Sequence, residues 1–374
     1  MDSFSIADER LMRHALRLAA LGRGLVEPNP MVGCVVAHEG QIVAEGWHQR
    51  FGGPHAEVNA LREAGAAAAG ATLYVTLEPC CHKGKTPPCT ESVIQSGIAR
   101  VVVAQHDPFE QVRGQGVSQL KQAGLKVSVG LLEADARRLN APYLKRLGQH
   151  RPWVIAKWAM TLDGKIASCR GASQWISGEA SRGLVHQLRG RVDAIMVGSH
   201  TALRDDPLLT ARPAGPRTAA RIVVDSQARL PLNSRLVQSV DAVPVIVAVS
   251  SSAPLAACQA LRQSGCEVLN CTGDDHLSRL LFLLDELGRR NWTNLLVEGG
   301  GRLLGNLLQL DQIDEVHVFV APTLIGGAAA PSPIEGPGRE LLAEALRLDE
   351  PAVRIVGDDV YISGHVLRTS APPP

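Results

Sequence analysis

Strand-sized apolar runs alternate with segments of helical spacing along nearly the whole chain, and the alternation breaks once, at RLGQHRP (146–152). A chain patterned this way is constrained to α/β layers, with sheets buried against helices. In the first half the spacing predicts a helix over 7–21, where Leu11, Ala15, Leu18 and Ala19 recur on one side. Strands are expected over 33–37 and 41–47 about the turn His38-Glu39-Gly40, then a helix over 55–69 and a strand over 71–77. A helix from Cys89, a strand over 100–105, a helix over 116–123, a strand over 126–129 and a helix from Glu133 follow. Past the break, strands are expected over 154–159, 193–197, 220–224, 244–249, 294–298 and 315–321. Helices are expected over 179–189, 254–263, 277–290 and 302–310, and short strands around 354–356 and 360–366 close the pattern. The final APPP reads as a disordered tail. Glycine and proline in a polar run mark a boundary, and 374 residues exceed one ordinary core. Two domains are therefore expected, over 1–147 and 152–370.

Charge and composition narrow the function classes. The net charge is +1, so no basic excess exists to neutralise a phosphate backbone, which argues against a nucleic-acid partner. Apolar runs such as 101–104 and 294–297 fall far below the roughly 20 residues of a membrane-spanning helix. The opening MDSFSIADERLMRHALRLAA lacks the basic and apolar regions of a secretory signal. Eight cysteines spread over this length do not make a disulfide scaffold. A reduced, cytoplasmic setting is the expectation.

Three of those cysteines crowd into EPCCHKGKTPPC (78–89), downstream of PHAEVNAL (54–61). His55, Cys80 and Cys89 would give zinc three protein ligands and leave the fourth position to water, the pattern of catalytic rather than structural sites. Water on such a zinc has a pKa of about 7, and Glu57, two residues past the histidine, can shuttle its proton. His55 and Cys89 are expected at helix starts, where the dipole favours a thiolate. Cys81 reads as a bystander; were it the ligand instead, the geometry would shift by one residue. Taken singly, any of these side chains could be an ordinary core residue, but glutamate, histidine and cysteines in this order favour the metal. Asn29, between two prolines, could bond a pyrimidine edge or simply form a turn. His48, His82, Lys83 and Lys85 could meet a ring or phosphate, or be solvated. In the second half Glu298-Gly299-Gly300-Gly301 ends a strand before a helix, which lets backbone N–H groups approach a phosphate. The spacing does not meet the Rossmann fingerprint.

NPMVGCVV, PHAEVNAL and EPCCHKGKTPPC together resemble the deaminase half of the bifunctional riboflavin-biosynthesis deaminase/reductase family. KWAMTLDGKIA (157–167), SQWISG (173–178), DAIMVGSHTALRDDPLLTAR (193–212), RIVVDSQARLP (221–231) and LLVEGGGRLLGNLL (295–308) resemble its reductase half, in the same order. The match is poorest over 238–292 and after 325. The resemblance implies a cytidine-deaminase-like three-layer α/β/α domain followed by a dihydrofolate-reductase-like α/β domain. It implies zinc on His55, Cys80 and Cys89, with Glu57 catalytic and Asn29 and His48 on the first substrate. It puts NADPH on Ala159, Trp175, Thr201, Asp205, Ser226 and the loop Gly300, Gly301, Arg302, Leu303, Leu304 and Gly305. The second substrate falls on Ser173, Arg189, Leu209, Arg212 and Glu298, with Arg189 and Arg212 as a clamp for a sugar phosphate. Ser226 and Arg229 are the expected surroundings of the dinucleotide 2′-phosphate, and Lys157 and Asp163 are candidates for orienting the sugar. The implied activity is deamination of a diaminopyrimidinone ribosylamine phosphate, then reduction of its sugar; association into a homo-oligomer is compatible with it.

The chain departs from the family pattern twice. Cys81 stands where a serine is usual, and DPFE (107–110) stands where the family reads Asp-Pro-Asn-Pro, so any contact by that asparagine is absent here. Two rival readings are a nucleic-acid or nucleoside deaminase with an accessory binding domain, and a zinc-stabilised binding protein without turnover. Eight residues between the cysteines instead of the editors' two, near-zero charge and only 13 aromatics count against the first. Glu57, which a structural site does not need, counts against the second.

Overall fold

The computed structural model describes residues 4–82 and 87–367. The chain divides into two compact units, Met1–His150 and Arg151–Pro374. Lys83, Lys85 and the closing 371–374 segment lie outside the described residues.

The first unit runs α1 (Ile6–Ala20), β1 (Gly33–His38), β2 (Gln41–Trp47), α2 (Ala56–Ala64), β3 (Thr72–Val75), α3 (Cys89–Gln95), β4 (Arg100–Val103), α4 (Gln115–Gln122), β5 (Lys126–Val129), α5 (Glu133–Leu139) and α6 (Ala141–Gln149). α1 starts at a capping box, in which Ser5 and Asp8 satisfy each other's backbone N–H. The sheet order is β2-β1-β3-β4-β5, antiparallel at the β2–β1–β3 end and parallel onward. Alternate residues of β1, β3 and β4 point to opposite faces. Val36, Leu73 and Val101 pack with Ala60, Val93 and Leu120 of α2, α3 and α4 on one face. Val35, Tyr74 and Val102 pack with Leu11, Met12 and Ala136 of α1 and α5 on the other. This is the expected three-layer α/β/α arrangement.

The second unit runs β6 (Trp153–Thr161), α7 (Glu179–Arg189), β7 (Ala194–Gly198), α8 (Ser199–Asp205), β8 (Ala220–Val224), α9 (Arg235–Gln238), β9 (Val245–Val249), α10 (Leu255–Gln263), β10 (Glu267–Asn270), α11 (His276–Arg289), β11 (Asn294–Glu298), α12 (Gly301–Gln309), β12 (Glu315–Ala321), β13 (Leu348–Val356) and β14 (Asp359–Val366). Its nine-stranded sheet has the order β10-β9-β8-β7-β11-β6-β12-β14-β13, parallel from β10 through β12 and antiparallel beyond. The central strands are buried on both faces, which is why Leu295, Leu296 and Val297 form an uninterrupted apolar run. α11 and α12 cover one face through Leu283, Leu284, Leu287, Leu304 and Leu307. α7 covers part of the other through Val185.

Several elements differ from the sequence reading. The break at 146–152 is narrower than expected, because residues 146–149 are the last turn of α6; Pro142 in its first turn is tolerated there. α8, α9 and β10 have no counterpart in the sequence reading, being four to seven residues long and partly polar. The closing hairpin is longer than expected: β13 is an exposed edge carrying Pro351 and a register shift between Asp349 and Ala352, so no alternating pattern announces it.

Candidate active sites

The first site is assembled from the starts of two helices. His55 is the N-cap of α2 and Cys89 opens α3, while Cys80 lies on the loop after β3. His55 Nδ1 is 3.2 Å from Cys89 Sγ and 3.5 Å from Cys80 Sγ, and the three ligand atoms lie within 4.8 Å of one another. Zinc bonds of ordinary length at a tetrahedral angle would place a nitrogen and a sulfur about 3.5 Å apart, so the donor set fits zinc. A hydrogen bond with the Cys89 thiol, and His55 beside it, hold the Cys80 thiol down to about 4 against burial, so it is a thiolate. Cys81 is outside the cluster; its thiol faces the Gln111 carbonyl at 3.5 Å.

Glu57 is in the first turn of α2, 3% exposed, and lines a cavity of about 350 Å³ together with His55 and Cys80. Burial, and next the Cys80 thiolate, push its carboxyl up to about 7. Asn29 and His48 line the same cavity. His48 Nδ1 donates to the Pro54 carbonyl (3.1 Å), so its Nε2 accepts from the Asn29 amide at 3.2 Å. Burial lowers the His48 pKa, which agrees with that neutral tautomer. The Asn29 amide is thus oriented by His48 at the cavity wall. His82 also lines the cavity, packed near Phe109 at 5.8 Å between ring centres.

Glu78 is a residue that sequence reasoning missed. Its carboxylate is buried and accepts from Val117 N (3.0 Å), Gly114 N (3.0 Å), Asp107 N (3.3 Å) and His106 Nδ1 (2.9 Å). These bonds pin the 106–117 loop, which carries the cavity-lining Asp107, Phe109 and Val112, onto the chain two residues before Cys80. Gly116 is required there, since a Cβ would overlap the Pro79 carbonyl. Asp107 in turn accepts from Tyr143 of α6 at 3.0 Å, bringing that helix to the cavity.

The second site is a cavity of about 610 Å³ along the carboxyl ends of β6, β7 and β11. The structure brings Ala159, Trp175, Thr201 and Asp205 to it, with Gly300, Gly301 and Leu304 of the glycine loop. Ser173, Arg189, Leu209, Arg212 and Glu298 line it as well, as does Lys157. Leu209 holds φ 53°, a left-handed conformation rare for a bulky side chain and typical of a site that imposes it. Ser226 and Leu303 instead line a smaller cavity of about 60 Å³. Gly305 lines neither, and Arg302 is 94% exposed, facing Glu335 at 3.8 Å.

Two of the expected residues have partners of their own in the structure. The Arg189 guanidinium forks onto the Glu298 carboxylate at 2.5 and 2.8 Å. Burial drives the Glu298 pKa up, but Arg189 outweighs it and holds the carboxyl below its ordinary 4.5. Asp163 accepts from Thr161 and from the Ile325 and Gly326 backbone, and so fastens a turn. The glycines also divide their work. Gly299 and Gly300 take φ of 79° and 87° near Thr201, whereas at Gly301 and Gly305 a Cβ would collide with Glu335. The spacing of those two glycines, four apart on one helix face, is the signal that could have shown a close backbone approach.

Comparison with known proteins follows this geometry. Residues 152–362 match the family described as RibD C-terminal domain, and residues 5–105 match the cytidine and deoxycytidylate deaminase zinc-binding region. The riboflavin biosynthesis protein RibD of Actinobacillus pleuropneumoniae is 41% identical over 363 residues, 97% of this chain and 96% of its own. That of Escherichia coli is 41% identical over 368 residues, 95% and 98% of the two chains. Among solved structures, Acinetobacter baumannii RibD superposes with a TM-score of 0.84 at 35% identity, over 97% of this chain and 99% of that one. A Thermotoga maritima diaminohydroxyphosphoribosylaminopyrimidine deaminase/5-amino-6-(5-phosphoribosylamino)uracil reductase gives 0.81 at 33% identity, over 96% and 99%.

Two outcomes are expected. The protein binds about one zinc per chain, lost in Cys80→Ala or Cys89→Ala and retained in Cys81→Ser, as metal analysis checks. Arg189→Met leaves the Glu298 carboxylate buried without its partner and lowers unfolding stability by about 3–5 kcal/mol at neutral pH. The wild-type contribution is present above the ordinary carboxylate pKa and is lost as pH falls through the depressed folded value. Denaturant titrations should therefore converge toward acid.

Proposed function

This chain belongs to the RibD family of riboflavin-biosynthesis proteins, and from that premise we propose a two-step reaction on one polypeptide. The first domain (1–147) hydrolyses the 2-amino group of 2,5-diamino-6-ribosylamino-4(3H)-pyrimidinone 5′-phosphate and releases ammonia. The second domain (152–370) reduces the ribosylamino group of 5-amino-6-(5-phosphoribosylamino)uracil to a ribitylamino group with NADPH. The observation that carries the reading is the convergence of His55, Cys80 and Cys89 beside the buried Glu57, in a cavity of its own.

In the first site His55, Cys80 and Cys89 would hold zinc, which when bound would supply a water nucleophile near neutral pH. Glu57, buried beside these ligands, is the group to accept a proton from the attacking water and to return one to the departing amine. Asn29, fixed by His48, accepts from the pyrimidine edge, and the loop pinned by Glu78 walls the ring. The second site would hold NADPH along its lining, and the bound dinucleotide would supply a hydride for C1′ of the sugar. The residues' main task is to set that carbon against the dinucleotide. Ala159, Trp175, Thr201, Asp205, Gly300 and Gly301 line the cavity and serve that purpose; Ser226 and Leu303 serve from the smaller one. Glu298, kept anionic by Arg189, is offered to substrate hydrogen-bond donors, and Arg212 to the sugar phosphate. The same reading makes the partners small molecules, neither nucleic acid nor membrane, and the setting cytoplasmic. No described helix is long and apolar enough to cross a membrane.

Two predictions follow from the division of labour and from the dinucleotide. Glu57→Gln keeps the side chain's size but removes the proton shuttle, so ammonia release falls by at least about 10²–10⁴-fold with zinc retained. Reduction of the already deaminated substrate by the same variant stays near wild type, while Arg212→Ala does the reverse. Assaying both activities on both variants tests this, and loss of both activities in Glu57→Gln would overturn it. NADPH is preferred over NADH. Arg229, which donates to Ser199 Oγ at 2.7 Å and to Asp225, is the cation next to Ser226 in the chain and available for a 2′-phosphate. Arg229→Ala should narrow the preference, measured as the ratio of the two kcat/KM values; an unchanged ratio removes Arg229 from that role.

A further inference from the structure

The deaminase cavity carries aromatic lining that the reading above does not use. Only 13 phenylalanine, tryptophan and tyrosine residues occur in the chain, yet three of them, Phe51, Phe109 and Tyr143, line this one cavity. Tyr143 is buried, and its hydroxyl is committed to Asp107 at 3.0 Å. Phe109 is only half-buried. It also stands at one of the two positions where the chain departs from the family pattern, a phenylalanine in place of the asparagine of Asp-Pro-Asn-Pro. The other departure, Cys81, meets the same loop, its thiol 3.5 Å from the carbonyl of Gln111. Both changes therefore fall on one seam at the cavity.

The backbone at Phe109 is held from both directions. Its N–H donates to the Asp107 carboxylate at 3.0 Å, and its carbonyl accepts from the N–H groups of Val112 (2.8 Å) and Arg113 (3.0 Å). The chain just beyond is pinned by Glu78, through the N–H groups of Gly114 and Val117. The ring itself lies 5.8 Å from that of His82 between centres, tilted by 56°, within the range of favourable aromatic pairs. A side chain fixed in this way has little freedom left to lose when a ligand binds. Its remaining exposed apolar surface is hydrated, and covering it with a ligand is favourable.

A phenyl ring has no donor or acceptor, so it reads nothing of a ligand's edge; what it offers is a face. A planar nitrogen heterocycle presents the complementary surface, since every base has a π-face. The edge of such a ring is left to Asn29, whose amide His48 orients. Stacking on an aromatic side chain strengthens binding by about tenfold to a hundredfold per base. The contact is made as the planar substrate binds and changes little when one ring carbon turns tetrahedral. It therefore lowers KM and leaves kcat alone. The deaminated product keeps a planar ring and is held by the same face.

We propose that Phe109, braced by His82, is the stacking face of the deaminase site, a binding residue that takes the pyrimidine by its plane where the family pattern has a polar side chain. The assignment rests on the deaminase reading above. Phe109 moves no proton and touches no leaving group; it sets how tightly substrate and product are held.

The test is steady-state ammonia release from the diaminopyrimidinone ribosylamine phosphate by the zinc-loaded, full-length protein. Phe109→Ala should raise KM by about tenfold to a hundredfold with kcat within about twofold of wild type. Phe109→Tyr, which keeps the aromatic face, should stay near wild type in both constants. Phe109→Leu, which keeps apolar bulk without that face, should raise KM by at least about fivefold. Inhibition by the deaminated product should weaken in parallel with KM across the three variants. Zinc content, and reduction of the deaminated substrate by NADPH, should be unchanged in all of them and report an intact chain. A KM that stays in place in Phe109→Ala, a Phe109→Leu variant equal to wild type, or a loss confined to kcat overturns the proposal. A wild-type protein that releases no ammonia from this substrate would instead sink the deaminase reading beneath it.

Discussion

A carboxylate taken out of water costs several kcal/mol unless donors replace the water it loses, and both units are organised around carboxylates that meet this demand. Glu78 gathers three backbone N–H groups and a histidine, and so draws a whole loop to the edge of the metal site. Glu298 closes β11 and is met by the fork of Arg189 from α7. Asp225, just past β8, takes the Arg229 and Leu230 backbone, and Asp193, just before β7, takes that of Thr293 and Asn294. Asp225 closes its own turn, whereas the partners of Glu78, Glu298 and Asp193 lie on other segments, so satisfying those three fixes where the segments go. The active-site walls follow from those positions.

The two sites use this scaffold differently. In the deaminase unit two of the three clustered donors sit where helices begin, so a rigid backbone presents His55 and Cys89 with little freedom to lose. In the reductase unit the reacting groups line the carboxyl ends of parallel strands, where consecutive crossovers open a crevice. Glycine loops serve both approach and packing there: Gly299 and Gly300 turn the chain, and Gly301 and Gly305 let the Glu335 segment lie against α12. One glycine-rich stretch thus carries two separate requirements.

Much of this was legible in the sequence because the informative signals are local. Helix α7 and strands β2, β5, β8, β11 and β12 can be read residue by residue from periodicity, and the metal triad from spacing and residue type. What escaped depends on contacts between distant segments. Nothing near Arg189 announces that Glu298, 109 residues away, takes its guanidinium. Glu78 looks like part of a motif until its four donors are seen. β10 and β13 lie at sheet edges, where half-exposed strands lose the alternating signature. The His317–Tyr361 pair joins side chains 44 residues apart and becomes visible only through strand register.

The central claim is that one chain carries two chemistries in a fixed order. It is tested most directly by following product mass while the zinc-loaded, full-length protein acts on the diaminopyrimidinone ribosylamine phosphate, first alone and then with NADPH added. The account predicts one ammonia released per pyrimidine, with oxygen replacing the 2-amino nitrogen, before any dinucleotide is present. Addition of NADPH then yields a product richer by two hydrogens, with one dinucleotide oxidised for each. Release of ammonia from single-stranded DNA or RNA but not from this substrate, or NADPH addition that leaves the deaminated product's mass unchanged, would contradict it.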